Sequence, residues 1–363
     1  MIDVRPVLIM AGGTGGHVFP ALAVADELRL RGVPVVWLGT RAGIESRLVP
    51  EAGYPIEWLS VSGLRGKNTI TLLLAPIRLI IACWQASIVL IKRRPCAVLG
   101  MGGFASGPGG LMAWVMRKPL LVHEQNAIPG LTNKVLAKLA GFVLQAFPSV
   151  FKNASTTGNP VRQSICDIAK PEVRFAEHQR HDLNNLRLLV IGGSLGAVKL
   201  NEIIPQALAE IEVGNRPQVI HQTGMKNIDA AKASYADAGV EADVKAFIDD
   251  MTAAYEWADL VICRSGAMTV FELAAAGVAS VLVPYPHAVD DHQTHNAYYL
   301  EASGAAIIKQ QHELSVHWLV DIINDFSVNR KKLLDMAVAA RRLALPDSAK
   351  TIADACVTAG GIA

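Results

Sequence analysis

The 363-residue sequence is poor in cysteine, in aromatic residues and, over one long stretch, in acidic residues. Its five cysteines are odd in number, widely spaced and not paired as metal ligands are, which excludes a disulfide framework and favours a reducing, cytoplasmic compartment. The N-terminus lacks the regions of a secretion signal, so we expect no export. Aromatic residues make up only 6%, too few for base-stacking surfaces, and nucleic acid is therefore not an expected partner.

Acidic residues are absent between Glu57 and Glu124, although eight Lys and Arg occur there. Residues 1–163 carry 17 Lys and Arg against seven Asp and Glu, whereas residues 164–363 carry 17 against 25. The net charge of +2 therefore hides a basic N-terminal half. Such a surface should attract anions.

The most apolar run, residues 69–91, lacks the roughly 20 uninterrupted apolar residues of a membrane span, because Pro76 and Arg78 interrupt it. We expect one or two helices that pack on a sheet and stay partly exposed. Basic residues beside exposed aliphatic ones, here Arg78 and residues 92–94, are typical of a protein that lies on an anionic membrane. A buried crossover helix explains the run equally well.

Short apolar runs alternate with helix-length amphipathic stretches along the whole chain, which predicts an α/β fold with parallel sheets covered by helices. We expect strands at residues 7–10, 35–38, 97–101, 120–123 and 141–145, and again at 186–191, 218–221, 244–248, 260–263, 280–283 and 305–308. Residues 1–163 and 164–340 form two similar predicted domains, and a C-terminal helix at about 341–363 is expected to return to the first. Ligands of such sheets bind at the carboxyl ends of the strands, so we expect an interdomain cleft.

A glycine loop, residues 12–16, follows the first strand and ends at His17, before a predicted helix at residues 19–30. Its glycines let a phosphate or sugar approach backbone amides at a helix start. The loop lacks the Gly-Lys-Ser/Thr ending of a nucleoside triphosphatase. Residues 35–40 lack the acidic residue that would hold the ribose of NAD. Both cofactor classes are therefore disfavoured, although a purely structural turn stays possible.

Other polar groups also follow predicted strands. His123, Glu124 and Asn126 end the fourth strand, and Arg162 follows the Gly-Asn-Pro segment at the predicted domain boundary. A lone His at such a place is more often structural, and Arg162 could equally make a surface salt bridge. The second half repeats the strand, glycine loop and helix at residues 186–210. Asp290, with its acidic and histidine neighbours, lacks matched ligands elsewhere, so no metal is expected.

Taken together, residues 12–17, 102–103, 123–126, 158–162, 192–197, 263–272 and 290–296 closely resemble the MurG family, in order and over nearly the whole chain. The resemblance implies the GT-B fold of two Rossmann-like domains. It implies metal-independent, inverting transfer of N-acetylglucosamine from UDP-GlcNAc to the C4 hydroxyl of the muramyl sugar of lipid I, giving lipid II. No cofactor is implied. The expected location is the cytoplasmic face of the inner membrane, peripheral on its anionic surface.

The resemblance also assigns roles to residues. His17 is the candidate base, because an imidazole with an ordinary pKa of about 6.5 suits neutral pH, and Glu124 would orient His17 or be the base itself. Ile248 would read uracil through its backbone, and Glu272 would hold the ribose, although helix capping is an alternative for Glu272. The donor-contacting set is Thr14, Gly15, Gly16, Asn126, Arg162, Ser194, Ile248, Ala267, Met268, Thr269, Val270, Phe271, Glu272 and Gln293. Leu195 departs from the family's usual Gln, so any contact of that side chain is in doubt.

Three rival hypotheses share parts of this pattern. Another GT-B glycosyltransferase would use a different acceptor, and a UDP-GlcNAc 2-epimerase would release UDP without an acceptor. A membrane-bound scaffold would bind the nucleotide sugar and form no product. The polar residues at the strand ends favour an enzyme.

Overall fold

A computed structural model describes residues 5–60, 75–180, 185–193 and 196–362. Ser194 and Leu195 of the second glycine loop, and the basic residues Arg65 and Lys67, lie outside the described residues. The chain divides into two units, Met1–Val161 with Leu345–Ala363, and Arg162–Ala344.

In the described part of the first unit, seven parallel strands form one sheet in the order β3-β2-β1-β4-β5-β6-β7. The order reverses between β1 and β4, which lie side by side, with Leu8 paired to both Val36 and Val98. The central strands are buried on both faces and therefore consist of nearly continuous apolar residues. The strands are β1 (Val7–Met10), β2 (Val35–Gly39), β3 (Ile56–Trp58), β4 (Ala97–Gly100), β5 (Leu120–Glu124), β6 (Phe142–Gln145) and β7 (Ser155–Thr156).

Helices cover both faces of this sheet. They are α1 (Gly15–Leu30), α2 (Glu45–Glu51), α3 (Ala75–Arg93), α4 (Ser106–Val115), α5 (Leu131–Leu136) and the C-terminal α15 (Ser348–Gly360). Alternate residues of β1 point to opposite faces: Val7 and Ile9 pack in a core with α1 and α15, whereas Leu8 and Met10 pack in a core with α3 and α4. The two-residue period of a strand explains why one short apolar run supports two cores.

The second unit repeats this plan with six parallel strands among the residues that the structure describes, in the order β10-β9-β8-β11-β12-β13. The order again reverses at the middle, between β8 and β11. The strands are β8 (Arg187–Ile191), β9 (Gln218–Gln222), β10 (Asp243–Lys245), β11 (Leu260–Cys263), β12 (Ala279–Leu282) and β13 (Ala306–Ile308). The predicted pair of parallel α/β sheets is confirmed.

The helices of the second unit pack around a core that β8, β11 and β12 share with α8 and α13. They are α6 (Gln163–Cys166), α7 (Pro171–Arg180), α8 (Val198–Glu210), α9 (Ile228–Asp237), α10 (Met251–Trp257), α11 (Ala267–Ala276), α12 (His292–Glu301), α13 (Val316–Val328) and α14 (Arg330–Arg342). Both units have the doubly wound strand order 3-2-1-4-5-6, to which the first unit adds a seventh strand at the edge. Sheets of this kind bind ligands where the strand order reverses. Ligand-binding residues are therefore expected in the loops after β1, β4, β8 and β11.

Candidate active site

The first glycine loop and the start of α1 meet the loop that follows β4. Helix α1 begins at Gly15, earlier than the helix predicted from residue 19, so His17 lies in its first turn and not in the loop. A β-carbon at Gly102 would lie 2.6 Å from His17 Cδ2, and one at Gly103 would lie 2.5 Å from the Gly12 carbonyl oxygen. Glycine at both positions allows the two loops to pack directly on each other.

The imidazole of His17 has a defined orientation. Its Nδ1 lies 3.3 Å from the carbonyl oxygen of Gly12. A carbonyl oxygen only accepts, so this hydrogen bond requires the proton on Nδ1 and leaves the lone pair of the neutral ring on Nε2. This is the tautomer that a general base at Nε2 needs.

The side chain of Glu45 connects the loop after β1 with the loop after β2, and no sequence motif marks this residue. Its carboxylate is fully buried and accepts hydrogen bonds from the Gly13 amide (2.9 Å), the Thr40 amide (3.0 Å) and the Thr40 hydroxyl (2.7 Å). A β-carbon at Gly12 would lie 2.4 Å from the carboxylate. The Gly13 amide is thus used by an internal anion, which supports the sequence-based argument against a dinucleotide or triphosphate site in this loop.

Glu124 lies at the end of β5, and four donors from the following loop and from α5 contact its carboxylate. Oε1 accepts from the Asn126 amide (2.9 Å) and side chain (3.3 Å), and Oε2 accepts from the Gly130 amide (3.2 Å) and the Asn133 side chain (2.9 Å). Both carboxylate oxygens are thus occupied by donors of the protein itself. The geometry therefore favours Glu124 as the group that positions Asn126.

His123 is fully buried beside Glu124. Its Nε2 lies 3.0 Å from the Gly158 carbonyl, and burial lowers its pKa to about 4. Its ring is therefore neutral at physiological pH. The fixed position of His123 indicates the structural role that the sequence analysis considered more common for a lone His.

In the second unit, Glu272 lies in α11 and forms a polar cluster with two neighbours. Oε2 accepts from the Tyr255 hydroxyl (3.1 Å), and Oε1 lies 3.5 Å from Arg162 Nη2. Burial raises the pKa of the Glu272 carboxyl, and Arg162 and Tyr255 oppose that effect. Its side chain is 13% exposed, so a ligand can reach an otherwise buried carboxylate.

The first turn of α11 follows β11 directly, with Gly266 as its N-cap. First-turn amides have no partner within a helix and attract anions. Val270 and Phe271 are buried, and Phe271 packs against Tyr299, so their side chains belong to the core. Any donor contact of Val270 or Phe271 would therefore use the main chain, and the predicted donor contacts of residues 267–272 stay predictions.

Ile248 and Gln293 are held by neighbouring polar groups. The Ile248 amide donates to Gln222 Oε1 (3.3 Å), and Gln293 Oε1 accepts from the Tyr285 amide (3.0 Å). Ile248 lies beyond β10, which ends at Lys245, so it belongs to a loop and not to the predicted strand. Its main chain is fixed by Gln222, a residue that the sequence analysis missed.

Across the described ranges, no three His, Cys, Asp or Glu side chains are grouped as metal ligands. Thr14 is the exposed N-cap of α1, and Gly15 and Gly16 open that helix. Ser194 lies outside the described residues.

Comparison with known proteins now decides the family. Residues 7–145 match the glycosyltransferase family 28 N-terminal domain, and residues 187–352 match its C-terminal domain. A relative from Nitrosococcus oceani is 53% identical over 97% of this chain and 98% of its own. Its name is UDP-N-acetylglucosamine–N-acetylmuramyl-(pentapeptide) pyrophosphoryl-undecaprenol N-acetylglucosamine transferase. The crystal structure of Acinetobacter baumannii MurG has a TM-score of 0.85 and 41% identity, and covers 98% of this chain and 99% of its own. The chain belongs to the MurG family.

Membership of the MurG family confirms the predicted GT-B fold and glycosyltransferase class. The glycosyltransferase of kitacinnamycin, at 16% identity and a TM-score of 0.70, covers 96% of this chain and 98% of its own and shows the fold alone. The comparisons assign no role to an individual residue. His17, Glu124 and the donor-contacting set therefore stay predictions.

Proposed function

We propose that this protein transfers N-acetylglucosamine from UDP-GlcNAc to the C4 hydroxyl of the muramyl sugar of lipid I, forming lipid II in peptidoglycan synthesis. The observation that carries the proposal is the identity, over almost the full chain, to relatives whose name states this transfer. The oriented imidazole of His17 and the accessible carboxylate of Glu272 support it, because the reaction needs a base and a nucleotide-sugar site.

The second unit would hold the donor. Glu272 would accept hydrogen bonds from the ribose hydroxyls, and the carbonyl of Ile248 would accept from uracil, since the Ile248 amide is used by Gln222. The diphosphate would lie at the first turn of α11, near Ala267, Met268 and Thr269, with contributions from Ser194 and Arg162. The sugar contacts that the family resemblance implies are Gln293, Asn126, Thr14, Gly15 and Gly16.

The chemical step is a displacement at the anomeric carbon. The acceptor oxygen forms a bond to that carbon, His17 Nε2 takes the hydroxyl proton, and the bond to the UDP oxygen breaks. A single displacement inverts the anomeric centre. Preorganised amides and guanidinium groups would stabilise the charge on departing UDP, which is why we propose transfer without a metal.

Supplying UDP-GlcNAc and a lipid I analogue, with and without EDTA, tests this function. We expect UDP and a β-linked disaccharide product in equal amounts at the same rate in both reactions. UDP release without the acceptor would instead indicate an epimerase, and binding without product would indicate a scaffold. Loss of product in EDTA that is restored by a divalent cation would contradict the metal-independent step alone.

Helix α3 supports a peripheral location on the anionic cytoplasmic face of the inner membrane. Among the described helices it alone is long and apolar enough to cross a bilayer. Yet Ala82, Ala86, Val89 and Leu90 pack into the domain, which favours a surface position over a span. Its other face exposes large apolar side chains, namely Ile77, Leu79, Ile80, Ile81, Trp84, Ile88 and Ile91. These residues, with Arg78 on the same helix, are suited to an anionic lipid surface.

Replacing Ile80 and Trp84 with serine is expected to weaken binding to anionic vesicles by at least tenfold. Each side chain is about two-thirds exposed, and transfer of a large apolar side chain from water contributes roughly 1.5–3 kcal/mol. Vesicle sedimentation measures the effect. Leu30→Ser and Val328→Ser remove apolar side chains outside α3 that are even more exposed, and they serve as controls. Equal binding of all variants would contradict the proposed membrane surface.

A further inference from the structure

A surface pocket of about 390 Å³ opens in the first unit beside the start of α3. Its lining includes Thr40 after β2, Trp58 at the end of β3, and Ile81 of α3. Arg41 and Arg78 line it as well. Arg41 lies over the Trp58 ring, 5.1 Å from its centroid. The pocket lining therefore combines cationic and aromatic side chains with part of the exposed apolar helix α3.

Among the residues that the structure describes, neither arginine has an acidic partner. No described residue that lines the pocket is acidic, and no carboxylate of the described chain forms an ion pair with Arg41 or Arg78. The two carboxylates that flank the pocket in the sequence are used elsewhere. Glu57 pairs with Lys92 (3.0 Å) and Arg93 (2.7 Å), and Glu45 accepts from Thr40 and Gly13. The pocket therefore offers two guanidinium groups to an anion from outside the chain.

The pocket is connected to the candidate base by a short series of contacts. Thr40 of the pocket wall donates to Glu45, Glu45 accepts from Gly13, and the neighbouring Gly12 accepts from His17. A muramyl sugar with its C4 hydroxyl at His17 carries its pyrophosphoryl group at the other end of the ring. Ile81 of the pocket lining also belongs to the exposed apolar face of α3, along which a polyprenyl chain would enter a lipid surface.

We propose that Arg41 and Arg78 bind the pyrophosphoryl group of the polyprenyl acceptor in this pocket. The proposal rests on the proposed function. Guanidinium groups suit this ligand because each donates two parallel hydrogen bonds to phosphate oxygens. The apolar neighbours Trp58 and Ile81 would contact the first carbons of the lipid. A phospholipid phosphate presents the same chemistry, so the test must separate the two sources.

The experiment compares wild type with Arg41→Gln and Arg78→Gln on two soluble acceptors without vesicles. One is a muramyl pentapeptide carrying a short-chain isoprenyl diphosphate, and the other carries a neutral alkyl group in its place. We expect each variant to lower kcat/KM for the diphosphate acceptor about tenfold, as loss of a charge-assisted hydrogen bond predicts. KM for UDP-GlcNAc and the rate with the neutral acceptor should stay unchanged. Both side chains are exposed, so folding should be unaffected.

Lys138→Gln removes one exposed charge from the same basic unit outside the pocket and is the matched control. An equal loss in Lys138→Gln, or an equal loss with the neutral acceptor, would overturn the proposal. Unchanged kcat/KM in both arginine variants, together with weaker sedimentation on anionic vesicles, would assign the pocket to phospholipid and overturn it as well. If wild type forms no product, the proposed function itself has failed, which is distinct from these outcomes.

Discussion

His17→Ala is expected to lower kcat by about a hundredfold or more, while the Kd for UDP-GlcNAc stays within a few-fold of wild type. The hydrogen bond from Nδ1 to the Gly12 carbonyl places the lone pair of the neutral ring on Nε2, the atom that would take the proton. Removal of the imidazole removes the proton acceptor, whereas Glu272 and α11, which would hold UDP, belong to the other unit. Steady-state kinetics and calorimetry with UDP-GlcNAc measure the two quantities separately.

The ring also packs on Gly102, so a structural defect must be distinguished from a chemical one. His17→Asn keeps a polar side chain of similar reach, and we expect the same loss of kcat at an unchanged melting temperature. His317→Ala, at an exposed position on α13, is the matched control and should behave as wild type. Turnover near wild type in His17→Ala would exclude His17 as the base and leave Glu124 as the remaining candidate.

The sequence predicts the centre of each sheet better than its edges. Strands β1 and β11 have the predicted bounds, because both are buried on two faces and read as continuous apolar runs. Strand β3 was not predicted, since it has only three half-buried residues at the sheet edge. The two-residue β7 was not predicted either, because both of its residues are exposed.

The start of α1 shows why the candidate site could be predicted only in part. Glycines favour a loop over a helix, so the pattern predicts a helix from residue 19, yet the structure continues the helix back to Gly15 and carries His17 with it. The residue type and its neighbourhood were evident from the sequence. Its helical position and its contact with Gly102 depend on packing between segments distant in the chain.

Glu45 and Gln222 were missed for a related reason. Glu45 contacts Gly13, 32 positions away, and Gln222 contacts Ile248, 26 positions away. No local spacing marks a polar residue whose partners come from another loop. A buried carboxylate in a first helix turn resembles an ordinary charge at a helix N-terminus until the fold is known.

Glu272→Gln is expected to raise the Kd for UDP-GlcNAc between tenfold and a hundredfold, with a smaller change in kcat. An ionised carboxylate that accepts from two ribose hydroxyls makes charge-assisted hydrogen bonds, each contributing roughly 1.5–3 kcal/mol, whereas a neutral amide makes weaker ones. The substitution keeps the side-chain volume, so the packing of Tyr255 and Arg162 around it is retained. Glu202→Gln, at an exposed position in the same unit, is the control and should bind the donor as wild type does.

The affinity of the wild-type protein for UDP should also depend on pH, whereas the affinity of Glu272→Gln should not show this dependence. Burial raises the Glu272 pKa above the usual 4.5, so the carboxyl gains a proton at a higher pH than an exposed glutamate. The ionised carboxylate accepts hydrogen bonds from the ribose hydroxyls more strongly than the protonated carboxyl does. UDP affinity should therefore fall as pH is lowered through that raised pKa. Glu272→Gln has no such proton to gain, and its affinity should lack this fall. A helix-capping role would instead lower the melting temperature of Glu272→Gln and leave its UDP affinity unchanged, contradicting the ribose contact.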